Sequence, residues 1–304
     1  MGGNESEGRL MLGIIAGDVI GSPYEGSRKS KKDFPLFGED NRFTDDTVLS
    51  VATAATILNG GDYLEYYQEY YNQYPNCGYG GSFKEMAKVN NLRPYGSYGN
   101  GSAMRVGPIG WAFDTIEETL KEAQLSSECT HDHHEGIKGA QAVAMAMFYA
   151  RKAHSKDFII NEVARLGYDL KELKEFEVDK FDVSCQGTIP LCMAVFNETD
   201  SFEEAIRVAI SMGGDADTNA AIVGGIAEAY YGEIPIDIQK GIFERMPEDI
   251  SDIVMAFIKE FIDVEYEKPD VVVGKAILKY ESLGALFDFG KSGLTSESLG
   301  SLFE

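Results

Sequence analysis

Basic residues are scarce in this chain: its 304 residues hold 27 Lys and Arg against 50 Asp and Glu, a formal net charge of −23. That balance denies the protein a broad electrostatic footprint for DNA, RNA or an anionic membrane. It leaves open a small anionic ligand gripped by local donors. Cysteine is sparse as well. Cys77, Cys129, Cys185 and Cys192 form no Cys-x-x-Cys pair and no zinc spacing, so the expectation is free thiols in a reducing cytoplasm. No apolar run reaches the length of a membrane span. The N-terminus lacks a secretory pattern, because the apolar run Leu10 to Ile20 carries Asp18 and is led only by Arg9. Neither a Walker A loop nor a dinucleotide fingerprint occurs. Strand-like alternation is almost missing, and Val271-Val272-Val273 is the one short candidate.

What the chain does have is helical patterning, and two short acidic stretches far apart. One is Phe43-Thr44-Asp45-Asp46-Thr47; the other is Gly213-Gly214-Asp215-Ala216-Asp217-Thr218. Each precedes an apolar, helix-like run, Val48 to Leu58 and Ala220 to Tyr231. Thr and Asp at a helix start are good N-caps, since their oxygens accept orphan backbone N–H groups. Capping needs one acceptor, however, and each stretch offers two carboxylates and a hydroxyl. If the two helix starts meet, the carboxylates repel one another unless a cation neutralises them. All-oxygen ligands favour a hard divalent ion. Both readings, caps and cation site, stand at this point.

The remaining segments read as a succession of helices. Leu10 to Ile20 is a buried helix in which Gly13, Ala16, Gly17 and Gly21 permit close packing, ended by the Gly21 to Gly26 turn with Glu25 at its edge. Asp62 is the expected cap of Tyr63 to Tyr74, whose tyrosines recur at helical spacing and read as core. Ser82 opens a short helix after the Pro75 to Gly81 loop. The glycine-dense Gly96 to Ser102 loop leads into Ala103 to Phe113, a helix that Pro108 must bend or interrupt. Such a loop can present N–H groups to a phosphate, or be an ordinary connection. Thr130 to Glu135 precedes the helix Gly136 to Arg151; its His-x-His-His has no cysteine or distant histidine partner, which argues against zinc and for capping or ligand contact. Thr188 to Phe196 is expected to take Pro190 in its first turn, and Ser201 to cap Phe202 to Ser211 with Glu204 in a capping box. Ile250 to Ile262 is a further amphipathic helix. The expected architecture is all-α: a single-domain orthogonal helical bundle (residues 9–265), preceded by a mobile tail (1–8) and followed by a partly helical extension (266–304).

Together these motifs resemble the ADP-ribosylglycohydrolase family, which includes the dinitrogenase-reductase-activating glycohydrolase and ADP-ribosyl-acceptor hydrolases. The resemblance rests on Gly17-Asp18 with Tyr24-Glu25, Thr44-Asp45-Asp46-Thr47, Gly78-Tyr79-Gly80, Ser97-Tyr98-Gly99-Asn100-Gly101-Ser102-Ala103-Met104-Arg105, Thr130-His131 and Gly214-Asp215-Ala216-Asp217-Thr218, in the family's order. It implies an all-α fold with a binuclear metal site at the mouth of a cleft, holding two divalent cations, Mg2+ or Mn2+. By resemblance, Thr44, Asp45 and Asp46 bind one ion and Asp215, Asp217 and Thr218 the other. Glu25 matches a glutamate near the ions, and Glu25 or Asp46 would handle the proton. Gly96, Ser97, Tyr98, Gly99, Asn100, Gly101 and Ser102 match the loop around the diphosphate, while Gly78, Tyr79, Gly80 and His131 line the same cleft. The implied activity is hydrolysis of the bond between ADP-ribose and an acceptor on a protein or small molecule, arginine slightly preferred, in the cytoplasm. The alternatives are a non-catalytic ADP-ribose reader, a structural relative, or a magnesium-dependent hydrolase of another nucleotide or glycoside. Oligomeric state is not readable.

Overall fold

A computed structural model describes residues 10–26 and 32–262, and the backbone of 272–273 and 276–277. The expectations for the tail (1–8) and for most of the extension (266–304) lie outside that set. Chain contacts divide the protein into Met1–Lys268 and Pro269–Glu304. In the second unit, Val272–Val273 pairs antiparallel with Ala276–Ile277, Val272 opposite Ile277.

The first unit is helical. Among the described residues its α-helices are α1 Gly13–Gly21, α2 Asp45–Asn59, α3 Tyr63–Gln73, α4 Gly81–Ala87, α5 Gly107–Ala112, α6 Ile116–Glu128, α7 His134–Arg151, α8 Lys156–Arg165, α9 Cys185–Asn197, α10 Phe202–Ser211, α11 Ala216–Tyr231, α12 Ile236–Phe243 and α13 Glu248–Phe261. Local chemistry accounts for many boundaries. Asp62 accepts from the N–H of Leu64 and Glu65 and so starts α3. Ser201 accepts from Glu204 N to start α10, but the Glu204 carboxylate reaches Asp200 N at 2.9 Å rather than the cap residue itself. Thr115 starts α6 the same way, a helix for which the sequence raised no expectation although Thr115-x-x-Glu118 is a capping pattern.

Two expectations are corrected. Ser184 caps α9, so that helix begins at Cys185 and Pro190 lies in its interior, not its first turn. The stretch after the glycine-rich loop is not one bent helix: α5 starts only at Gly107, with Pro108 in its first turn, where a missing N–H costs nothing.

The core centres on α1 packed antiparallel against α11. A Cβ on Gly17 would overlap the Ala220 carbonyl, and one on Gly21 would come 2.6 Å from Asp217 Cα. The backbones therefore touch, and the end of α1 lies beside the start of α11. At the opposite end, Glu228 of α11 is fully buried and accepts from Leu10 N at 2.5 Å and Gly13 N at 2.7 Å, covering orphan donors that precede and open α1. α10 and α7 cover α11, and α2 lies between α1 and α13. The tyrosine stripe of α3 behaves as core: Tyr63, Tyr67, Tyr70 and Tyr71 are buried.

Candidate active site

Thr44 occupies the N-cap position of α2, yet its side chain makes no cap bond. Its hydroxyl turns to Asp18 Oδ1 at 2.6 Å. Asp18, from α1, supplies the cap: its Oδ2 accepts from Thr44 N at 2.8 Å, Thr47 N at 3.1 Å and the Thr47 hydroxyl at 2.5 Å. The helix start is thus satisfied from another element, which leaves Asp45 and Asp46 free of capping duty. Asp46 Oδ2 accepts from Thr218 Oγ1 at 3.2 Å, across 172 residues of chain, while its Oδ1 is buried without a hydrogen-bond partner among the described residues. At α11 the pattern repeats. Asp215 is the N-cap residue without a side-chain cap bond, and its Oδ2 instead accepts from Asn100 Nδ2 at 2.6 Å. Neither N-cap side chain therefore caps its own helix, and at α11 it is Asp217 Oδ1 that accepts from a first-turn donor, Thr218 N at 2.9 Å.

The two starts meet. One carboxylate oxygen each from Asp18, Asp46 and Asp217 lie within 4.8 Å of one another, as do oxygens of Glu25, Asp215 and Asp217. Asp217 belongs to both groups. Asp18 is the member that sequence reading passed over as a candidate; the available signal was an aspartate inside an otherwise apolar helix. Among the described residues no ion pair reaches any of these carboxylates. Their acidities respond accordingly. Burial, then the charges of Asp215, Asp18 and Glu25, push Asp217 up to about 9. Burial and the Asp18 charge hold Asp45 and Asp46 well above the usual carboxylate range. Burial raises Asp18 too, against the four hydrogen bonds that favour its ionised form. An oxygen-only donor set with an orphaned buried carboxylate oxygen fits a hard divalent cation.

A cavity of about 440 Å³ opens beside the cluster. Glu25, Asp45, Asp46, Asp215, Asp217 and Thr218 line its acidic side. The rest of its wall includes Gly78, Gly80, Ser97, Gly99, Asn100, Gly101, Arg105 and His131, together with Phe181 and Val183, which the sequence did not single out. Other expected residues stand elsewhere. Ser102 is fully buried and donates to Gly136 O at 2.8 Å, pinning the loop to α7 instead of facing a ligand. Tyr79 is buried between Tyr71 and Phe83, behind the glycines that flank it. Gly96 turns the chain at φ 69° and donates to Asp132. Tyr98 is 52% exposed, outside the lining, with its ring edge on His133. Asn100 lines the cavity, but its amide is spent on Asp215 and Thr188. His133 caps α7, and among the described residues no candidate metal cluster contains a histidine.

Fold and site together define an all-α enzyme of the hydrolase class, its acidic residues gathered from two helix starts and a third helix behind them. The chain belongs to the ADP-ribosylglycohydrolase family, whose model matches residues 9–267. It is 27% identical to ADP-ribosylhydrolase ARH3 of Gallus gallus, over 73% of this chain and 84% of that protein. It is 24% identical to ADP-ribosylhydrolase ARH3 of Homo sapiens, with the same coverage of 73% and 84%. A solved structure described as an ADP-ribosylglycohydrolase-related protein complex shares the fold, with a TM-score of 0.65 at 24% identity, covering 84% of this chain and 99% of that one. Among the described residues no helix is long and apolar enough to cross a membrane.

Proposed function

We propose that the protein hydrolyses the glycosidic bond between C1″ of ADP-ribose and an acceptor atom, with two divalent cations, Mg2+ or Mn2+, at the acidic cluster. The observation that carries this reading is the convergence of Asp18, Asp46 and Asp217 with Glu25 and Asp215 beside a cavity of about 440 Å³. Thr44, Asp45 and Asp46 would serve one ion, Asp215, Asp217 and Thr218 the other, with Asp18 now added behind them. Bound there, the ions would supply charge neutralisation and Lewis acidity for the ribose hydroxyls and the attacking water.

The chain's own groups do the rest. Glu25 is exposed at the cavity edge; its own partial burial, then the Asp215 charge, raises its pKa, which makes its carboxylate a stronger proton acceptor than a free one. Water oxygen bonds to C1″ as the bond to the acceptor breaks, through an oxocarbenium-like state. The water proton passes to Glu25 and from there to the departing acceptor atom. Asp46 is the other candidate for that proton. Ser97, Gly99 and Gly101 form the wall proposed for the diphosphate. A carboxylate edge favours a cationic acceptor, so an arginine guanidino group is the preferred linkage.

The test is a release assay on ADP-ribosylated arginine, ADP-ribosylated serine, ADP-ribosyl esters and nucleotide diphosphates, with Mg2+, with Mn2+ and with EDTA. Release of ADP-ribose from the arginine conjugate, abolished by EDTA, is expected. Undiminished release in EDTA would remove the cations; cleavage of the diphosphates alone would replace the reaction.

A further inference from the structure

His131 is 5% exposed and lines the cavity beside the glycine-rich loop. What it offers a ligand depends on which ring nitrogen carries the proton. Two buried residues, Arg105 and Thr130, decide that. Arg105 is fully buried, and among the described residues no carboxylate pairs with it. The Tyr67 ring, 4.0 Å from its guanidinium carbon, and the Ser126 carbonyl, 2.6 Å from Nη2, hold it. The same Nη2 donates to Thr130 Oγ1 at 2.8 Å. Thr130 Oγ1 in turn lies 2.8 Å from His131 Nδ1.

A guanidinium only donates, and a hydroxyl has one proton. If Nδ1 carried hydrogen, Thr130 would accept twice. Among the described residues, its own proton would then be left to the Cys129 thiol, a weak acceptor, at a fully buried position. If Thr130 donates to Nδ1, each of these bonds is made. The histidine proton then sits on Nε2. That nitrogen faces the loop glycines: a Cβ built on Gly101 would lie 3.1 Å from Nε2 and one on Gly99 3.7 Å, and glycine has none, so no side chain from either residue takes the place of a ligand there. Burial, and secondarily Arg105, hold the His131 pKa well below the ordinary value, so the ring is neutral.

We propose that Arg105 and Thr130 are positioning residues that lock His131 in its Nε2–H form, as a neutral hydrogen-bond donor to a phosphate or ribose oxygen in the cleft. The identity of that oxygen rests on the proposed ADP-ribose reading; the tautomer does not. The arrangement also takes His131 out of acid–base work.

Long-range 1H–15N spectra of the full-length labelled protein test it, with the His131 signal assigned by its loss in His131→Asn. The Nε2–H pattern is expected in the wild type and in Thr130→Ser, and a shift toward Nδ1–H in Thr130→Val. Calorimetric affinity for ADP-ribose should fall about tenfold in Thr130→Val, the effect of one lost hydrogen bond to an ionic ligand, and recover in Thr130→Ser. An Nδ1–H pattern in the wild type, which needs no variant to fold, would overturn the proposal. So would an unchanged pattern in folded Thr130→Val, or unchanged affinity in a variant whose tautomer has switched. Absence of any ADP-ribose binding by the wild type would count against the cleft reading and the ligand contact alone, with the spectrum still deciding the lock.

Discussion

Asp46 Oδ1 is buried and, among the described residues, has no donor, on a side chain that shares its space with the carboxylates of Asp18 and Asp217. An oxygen in that position is stable only with a cation or a proton. Replacing it with an amide keeps the shape and removes a like charge. Asp46→Asn should therefore bind Mn2+ at least about 100-fold more weakly and lose turnover by a similar factor, the upper end of what loss of a supporting group costs. Its metal-free melting temperature should equal or exceed that of the wild type, because repulsion with Asp18 and Asp217 is relieved. A folded Asp46→Asn enzyme with unaltered Mn2+ titration would detach this residue from the site. Ser97 raises a separate question. Its Oγ already accepts from Gly99 N at 3.2 Å and shapes the loop wall. In Ser97→Ala, ADP-ribose affinity measured by calorimetry should drop about three- to tenfold; no change would exclude this loop from ligand contact. The residue types at both sites were legible, because paired aspartates beside threonines, and glycines crowded into one loop, are visible in sequence. The duties of Asp18, Arg105 and Asn100 were not, because each acts on a partner distant in sequence: Asp18 on Thr44 and Thr47, Arg105 on Thr130, Asn100 on Asp215.

At the scale of elements, the α1–α11 pair sets the site. Glycine contacts bring Asp18 beside Asp217 at one end, and Glu228 fastens the other end through Leu10 N and Gly13 N. Burial pushes Glu228 up to about 7 from 4.5, while the backbone donors pull the other way. The folded chain thus holds a proton that the unfolded chain has already released over that interval. Its stabilising contribution is complete below about pH 4.5 and is lost as pH rises toward 7, at about 1.4 kcal/mol per unit of the gap. Melting temperatures of Glu228→Gln, taken from pH 4.5 to 8 with saturating Mg2+ to keep the acidic cluster ionised, should show a flatter decline than the wild type. Parallel curves would mean that Glu228 does not titrate there. Helix existence was largely readable at this scale, because caps such as Asp62 and Ser201 act within a few residues. The misplacements at Pro108 and Pro190 have the opposite origin. A proline permits either a first turn or an interior kink, and Ser184 and tertiary packing chose between them.

Across the whole molecule, a net charge of −23 and a cluster of unpaired carboxylates act in the same direction, toward uptake of cations. Specific binding and general screening are separable. A cation bound only by the folded state at 100 times its dissociation constant adds about 2.7 kcal/mol, or roughly 5–10 °C in melting temperature for a domain of this size. Millimolar MgCl2 or MnCl2 should give that rise over EDTA, whereas KCl of equal ionic strength should not. An equal rise with KCl would leave only screening of the surface. By itself the sequence determined the helical class, most helix starts and the chemistry available at each, since periodicity and capping are local properties of neighbouring residues. Tertiary structure alone decided which carboxylates share a space, that Asp18 caps α2 from another helix, and that Ser102 and Tyr79 turn inward while Asp46 does not find a donor. Those outcomes depend on contacts between segments as much as 218 residues apart, and no local pattern encodes the distance between them.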